Sequence, residues 1–252
     1  MNLNEFMCNI PIYIIHLPDS VDRKEHLLNT FKDYKNSKII DAVDGRDPIN
    51  FIGNYRIEYT SSISLTPPLL AVICSHAKAI KMAYMANEEN VCIFEDDVHT
   101  DLISTCSFTL NDICQLNNDW DAIQLFYTNH NTSIIDTMHK DYIDNGLNLV
   151  KRYSNYSGTC YIINRKGMKN FLENVVNVND EMNTFSIKNP IIDPEDTILK
   201  YINTYIINRQ VFYYFFETMT FESYTSSHPS NKHECQTIHF LTQQKLKSLY
   251  AL

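Results

Sequence analysis

The sequence predicts an α/β sheet flanked by helices, and three observations predict it. Short apolar runs of strand length alternate along the chain with stretches of helical period. The first run, IPIYIIHL (Ile10 to Leu17), is apolar on both alternating faces, as a parallel strand buried on both sides must be. The 252 residues are 44% hydrophobic and 20% charged, a balance that supports a sizeable core.

The elements follow in order. After the first strand, PDSVDRKEHLLNTF places Val21, Leu27, Leu28 and Phe31 on one helical stripe, with Asp19 or Ser20 as its cap. KIIDAV (Lys38 to Val43) is a second short strand, and DGRDP turns the chain. The polar, irregular stretch from Asn50 to Ser64 reads as a loop or flap. TPPLLAVICSHAKAIKMAYMANEEN is the clearest helix. Pro67 and Pro68 suit its start, and Leu69, Val72, Ile73, His76, Ile80, Ala83 and Tyr84 share a face. VCIF, Trp120 to Tyr127, Thr159 to Asn164 and Val211 to Phe216 read as further strands. RKGMKNFLENV, Asp193 to Ile202 (with Pro194 at its first position) and the tail from His239 read as helices. No repeat, low-complexity tract or linker divides the chain, so one domain over 1–252 is expected.

Composition excludes several functions. The net charge of −9 disfavours a nucleic-acid backbone as partner, because phosphate contact needs clustered Lys and Arg. With only five glycines there is neither a Walker loop nor GxGxxG. Seven cysteines, without a close CxxC pair, suggest reduced thiols rather than zinc. Cys74, Cys92 and Cys160 sit in apolar stretches. The N-terminus lacks the pattern of a signal peptide, and no run is long enough for a membrane helix, so a cytoplasmic protein is expected.

The chemistry concentrates in VCIFEDDVHT (Val91 to Thr100). Adjacent carboxylates repel, and each loses solvation if partly buried. Ligands of an open α/β sheet sit at the carboxyl ends of strands, where Glu95, Asp96 and Asp97 fall. In extended geometry Glu95 and Asp97 point to the same side and Asp96 opposite. Two such acids make half a site for a hard cation, with phosphate oxygens completing it, and such a cation neutralises a leaving diphosphate. Alternatively, Asp97 and Asp101 begin the next helix, where the macrodipole favours acids.

IYIIHLPDSVDRKEHL, DAVDGRD, AVICSHAKAI, VCIFEDDV, WDAIQLF, GTCYIINRKGMKNFL and PEDTIL occur in this order. Together they resemble glycosyltransferase family 25, the lipooligosaccharide and procollagen galactosyltransferase group, from about Ile10 to about Leu199. The resemblance implies a GT-A-like, Rossmann-type mixed sheet. It implies a nucleotide-sugar-binding half over 10–127 and an acceptor-side half over 128–252. It also implies a UDP-sugar donor, Mn²⁺ or Mg²⁺, and inversion during transfer of a hexose, galactose first, to a glycan or glycoprotein hydroxyl.

On that resemblance Glu95 and Asp97 are metal and nucleotide acids, and Asp96 orients the donor sugar or a neighbouring base. Arg23 contacts the base or a phosphate, or is a solvated helix arginine. Ser75 and His76 match the family's "SH", and His76 on its apolar face reads equally as a core histidine. Asp44 and Gly45 match the loop after strand two, where Gly45 permits a tight turn. Gly158 lets backbone approach the sugar, or only starts a strand. Asp196 is the candidate general base, with helix capping as the other reading. His228 is the favoured further metal ligand. Tyr213 and Tyr214 read as core before sugar platform. Two departures stand out: LLAVICSH lacks the family's glycine before the cysteine, and the first strand ends His16-Leu17 where Asn-Leu is usual. A phosphohydrolase and an inactive sugar- or nucleotide-binding module remain the competing readings, and the oligomeric state, a homodimer among the options, is left open.

Overall fold

A computed structural model describes residues 1–60, 65–117, 119–128, 131, 133–152, 158–191, 194–214, 240–242 and 244–250. The chain opens with α1 (Leu3–Met7), whose Asn2–Glu5 capping box satisfies its first donors. β1 (Ile12–His16) is buried along its whole length and pairs in parallel with β2 (Ser37–Asp41) on one side. Between them α2 (Val21–Phe31) buries only Leu27 and Phe31, while Val21 and Leu28 face solvent, so the stripe is narrower than its sequence predicts. Ser20 occupies the cap position without a side-chain cap bond.

The stretch expected to be a loop is ordered. Asp47 caps α3 (Pro48–Asn54), accepting from the main-chain N–H groups of Ile49 and Asn50. β3 (Arg56–Thr60) follows, and its partner lies some 130 residues downstream, so no local pattern reveals it. Residues 61–64 lie outside the described residues.

α4 (Pro67–Met85) begins at its prolines as predicted. Its buried surface is wider than one stripe, because it lies between the sheet and two later helices. Gly45 is needed for that seat rather than for a turn: a Cβ there would lie 2.5 Å from the Pro67 carbonyl oxygen. β4 (Asn90–Glu95) then pairs in parallel with β1 on its other side. β5 (Val98–His99), a 3-10 turn (Asp101–Thr105) and α5 (Leu110–Gln115) lead to β6 (Ala122–Gln124), three residues of the longer predicted strand. α6 (Ser133–Asn145) and β7 (Leu149–Lys151) precede β8 (Cys160–Asn164), which runs antiparallel to β4 and β6. α7 (Arg165–Asn174), β9 (Val176–Val178), β10 (Thr184–Lys188), α8 (Pro194–Leu199), β11 (Thr204–Ile207) and β12 (Tyr213–Tyr214) complete the labelled elements. Residues 240–242 and 244–250 are helical, as expected of the tail.

The main sheet has seven strands in the order β2-β1-β4-β8-β6-β11-β7, so it is mixed and flanked by helices, as predicted. Smaller sheets join β3-β10-β9 and β12-β5. The strand period sorts side chains onto two cores. Tyr13, Ile15, Val91, Ile93 and Tyr161 pack with α4, while Ile12, Ile14, Cys92, Phe94 and Cys160 pack with Leu27 and Phe31 of α2. Each buried Ile or Phe contributes about 1.5–3 kcal/mol. Cys74, Cys92 and Cys160 are part of these cores, and burial pushes their thiols well up, so they serve as small hydrophobes. Among the described residues no helix is long and apolar enough to cross a membrane.

Candidate active site

Topology gathers the candidate residues at one edge. β1, β2 and β4 run in parallel, so their carboxyl ends lie together, and the start of antiparallel β8 joins them. The Glu95 main-chain N–H donates to the Thr159 carbonyl at 2.8 Å, which ties the acid run to the segment after Gly158.

The predicted alternation of the three acids fails after the first. β4 ends at Glu95, and Asp96 and Asp97 form a turn into β5, so the extended period no longer applies. Glu95 points to the α4 face, where its Oε1 lies 3.2 Å from Nε2 of His76, and it remains 28% exposed. Asp96 points to the α2 face and is 5% exposed. Its Oδ2 accepts from His16 Nδ1 at 2.7 Å and its Oδ1 from Arg23 Nη1 at 2.7 Å. With both oxygens engaged, Asp96 holds the turn. Asp97 follows it to the arginine side: its Oδ2 lies 3.6 Å from Arg23 Nη1.

Asp97 is the strained member. Its Oδ1 is buried with no hydrogen-bond partner among the described residues. Burial pushes its carboxyl up to about 7; Arg23 opposes that, while Glu95 and Asp96 add to it. For Arg23, burial works against the charge, but Asp97, Asp96 and its hydrogen bond to Asp96 outweigh it and raise its pKa. Arg23 is thus the internal cation that makes an acid turn tolerable.

The remaining predicted residues divide. The Ser75 hydroxyl donates to the Ala71 carbonyl at 2.7 Å and accepts from the Val43 N–H at 2.8 Å, both buried. It fastens α4 to the loop after β2. His76 is buried between Glu95 and Tyr161. Asp44 stands on the rim with Arg46, whose hydrogen bonds hold its carboxyl below the usual range. Arg46 also reaches Asp19. A Cβ on Gly158 would lie 3.2 Å from Cγ of Glu195, so this glycine accommodates α8. Asp196, in the first turn of α8, accepts from Arg152 Nη2 at 2.8 Å, and Arg152 also donates to Gln124. His228 lies outside the described residues, as does the predicted strand beyond Tyr214. Tyr213 and Tyr214 form β12 beside β5.

Sequence reasoning missed His16, Arg46, Arg152 and Tyr161 as members of the edge. His16 carried one signal, as the unusual last residue of the first strand. Arg152 carried none, because β7 is three residues long and weakly patterned.

Among the described residues no group of three or more His, Cys, Asp or Glu is disposed to hold a metal. The orphaned, buried Asp97 Oδ1 and the partly exposed Glu95 nevertheless fit a cation held from one side by protein and from the other by a diphosphate.

Comparison with known proteins bears on this edge. The chain matches the family model of glycosyltransferase family 25 (LPS biosynthesis protein) over residues 9–191. No curated protein matches the chain. Among solved structures it is similar to a glycosyltransferase involved in the glycosylation of the major capsid of PBCV-1. The two share 8% identity at a TM-score of 0.38, over 83% of this chain and 93% of that one. That likeness is too distant to carry any residue's role across.

Proposed function

The chain belongs to glycosyltransferase family 25, and from that premise we propose that it is an inverting hexosyltransferase. It moves galactose, first among the hexoses, from a UDP-sugar to a hydroxyl of a glycan or glycoprotein, assisted by Mn²⁺ or Mg²⁺. The observation that carries this reading is the acid turn at the carboxyl edge, where Asp97 Oδ1 is buried without a hydrogen-bond partner among the described residues and Glu95 stays partly exposed. Such an edge is where an open α/β sheet takes its ligand.

A divalent cation, when bound, supplies neutralisation of the charge developing on the diphosphate. Asp97 and Glu95 would hold it, with His228 as the proposed further ligand. Arg23 and His16 fix the turn so that Asp97 cannot swing away. The acceptor hydroxyl attacks the anomeric carbon opposite the diphosphate. The bond from that carbon to the diphosphate oxygen breaks as the new glycosidic bond forms. The proton passes to Asp196 as general base, on Oδ2, since Arg152 already holds Oδ1. We assign residues 10–127 to the donor side and 128–252 to the acceptor side. The buried free thiols suit a reducing cytoplasm.

The test is a melting panel on wild type and Asp97→Ala. UDP-galactose, UDP-glucose, UDP-GlcNAc, GDP-mannose and CMP-sialic acid are each added with Mn²⁺ or EDTA. A ligand that binds only the native state raises the Tm. A Mn²⁺-dependent rise with one UDP-sugar, absent in Asp97→Ala and accompanied by UDP release, is expected. No rise with any of the five sinks the reading of an active transferase.

A further inference from the structure

On the α4 face of the sheet, Tyr161, His76 and Glu95 form a line. The Tyr161 phenol oxygen lies 3.0 Å from His76 Nδ1, and His76 Nε2 lies 3.2 Å from Glu95 Oε1. The two rings stack with centroids 5.7 Å apart and planes 22° from parallel. Tyr161 and His76 are both buried, on β8 and α4, and β8 pairs directly with the strand that ends in Glu95.

Chemistry gives this line a direction. Burial, reinforced by the charge of Glu95 and by Cys160, pushes the Tyr161 phenol well above its ordinary range. The phenol therefore keeps its proton, and the acceptor it meets among the described residues is His76 Nδ1. A neutral imidazole that accepts at Nδ1 carries its hydrogen at Nε2. Nε2–H then donates to Glu95 Oε1. Glu95, a carboxylate that only accepts, selects that tautomer, and the Tyr161 phenol meets the lone pair it leaves at Nδ1.

We propose that Tyr161 and His76 are positioning residues for Glu95. Tyr161 holds the His76 ring through Nδ1, His76 fixes Oε1, and Oε2 is left open toward a divalent cation. His76 meets one oxygen of Glu95, whereas both oxygens of Asp96 are taken by Arg23 and His16. The cation rests on the transferase reading above; the tautomer does not.

Two measurements test it together. Long-range ¹H–¹⁵N correlation on labelled protein reads the His76 tautomer, and EPR of free Mn²⁺ reads cation affinity. Wild type is expected to hold the Nε2–H tautomer. Tyr161→Phe removes only the phenol oxygen and is expected to keep the tautomer, release the ring at Nδ1 and weaken Mn²⁺ binding about 10-fold, as loss of outer-shell partners of metal ligands does. His76→Gln, whose amide N–H still reaches Glu95, is expected to bind more tightly than His76→Leu. A wild-type His76 protonated at Nδ1 overturns the proposal, as does unchanged Mn²⁺ affinity in Tyr161→Phe. Should wild type hold the Nε2–H tautomer yet bind no Mn²⁺, the positioning line stands and the cation of the transferase reading fails.

Discussion

The two sides of the acid turn handle the same problem differently. On the α4 side, Glu95 meets the His76 imidazole and stays partly exposed. On the α2 side, Asp96 and Asp97 share the Arg23 guanidinium, and Asp96 also takes the His16 N–H. A neutral donor orients a carboxylate and leaves its charge available. A buried ion pair uses the charge up, and its geometry must be complete. Here it is complete for Asp96 and incomplete for Asp97, whose Oδ1 has no partner among the described residues. The acids open to a ligand are therefore the first and third of the run, for opposite reasons: one is held loosely, the other is held on one side only.

Breaking the charged side is expected to have the largest effect. Arg23→Met leaves Asp96 with His16 alone and removes the cation beside Asp97, and removing one partner of a buried pair costs about 3–5 kcal/mol. Tyr161→Phe on the neutral side removes one hydrogen bond, worth about 0.5–1.5 kcal/mol. Urea unfolding at pH 7 compares them. Equal losses would mean that the two sides do not differ as argued.

Asp97→Asn sharpens the comparison through pH. The folded carboxyl titrates near 7, against about 3.9 in an unfolded chain. The folded state therefore binds the proton more tightly. Its contribution to stability is fully present below about pH 4 and is lost as pH rises to about 7, after which the loss is constant. Asparagine cannot ionise, so the variant escapes that loss. At pH 8 it is expected to be more stable than wild type by an amount on the order of 2–4 kcal/mol, shrinking toward zero by pH 4. Transfer is expected to fall about 100-fold, the scale on which single charge-stabilising groups act. Melts of both proteins from pH 4 to 8 check the first claim and UDP release the second. A stability gap that does not vary with pH would remove the case for a destabilised Asp97.

What the sequence made legible follows the range of the interactions. β1, α4, β4 and β8 were readable because each declares itself by its own periodicity or caps. β3 was not, because the strand it pairs with, β10, is far along the chain, and polar residues such as Arg56 and Glu58 hide it. The same limit governs the site. The acid run was visible as a cluster, but the end of the strand at Glu95 was not, so the side assigned to Asp97 was wrong. His16 meets Asp96 across 80 residues of sequence, and only the parallel pairing of β1 with β4 brings them together. Arg23 was readable as a position, but its ion pair with Asp96 was not, since that charge lies beyond another strand.

Ser75 gives the smallest effect and separates structure from ligand on the α4 side. It adjoins His76, yet its hydroxyl faces the main chain of Val43 and Ala71 rather than the edge. Ser75→Ala leaves the buried Val43 N–H without its acceptor, which costs about 1–2 kcal/mol. The Ala71 carbonyl sits within the helix ladder and loses less. The expected result is a lower Tm with unchanged nucleotide-sugar affinity in the folded protein. The opposite pattern, intact Tm with weakened affinity, would mean that the hydroxyl leaves Val43 to reach the ligand. The loop after β2 would then have to move on binding, and the rim pair of Asp44 and Arg46 would move with it.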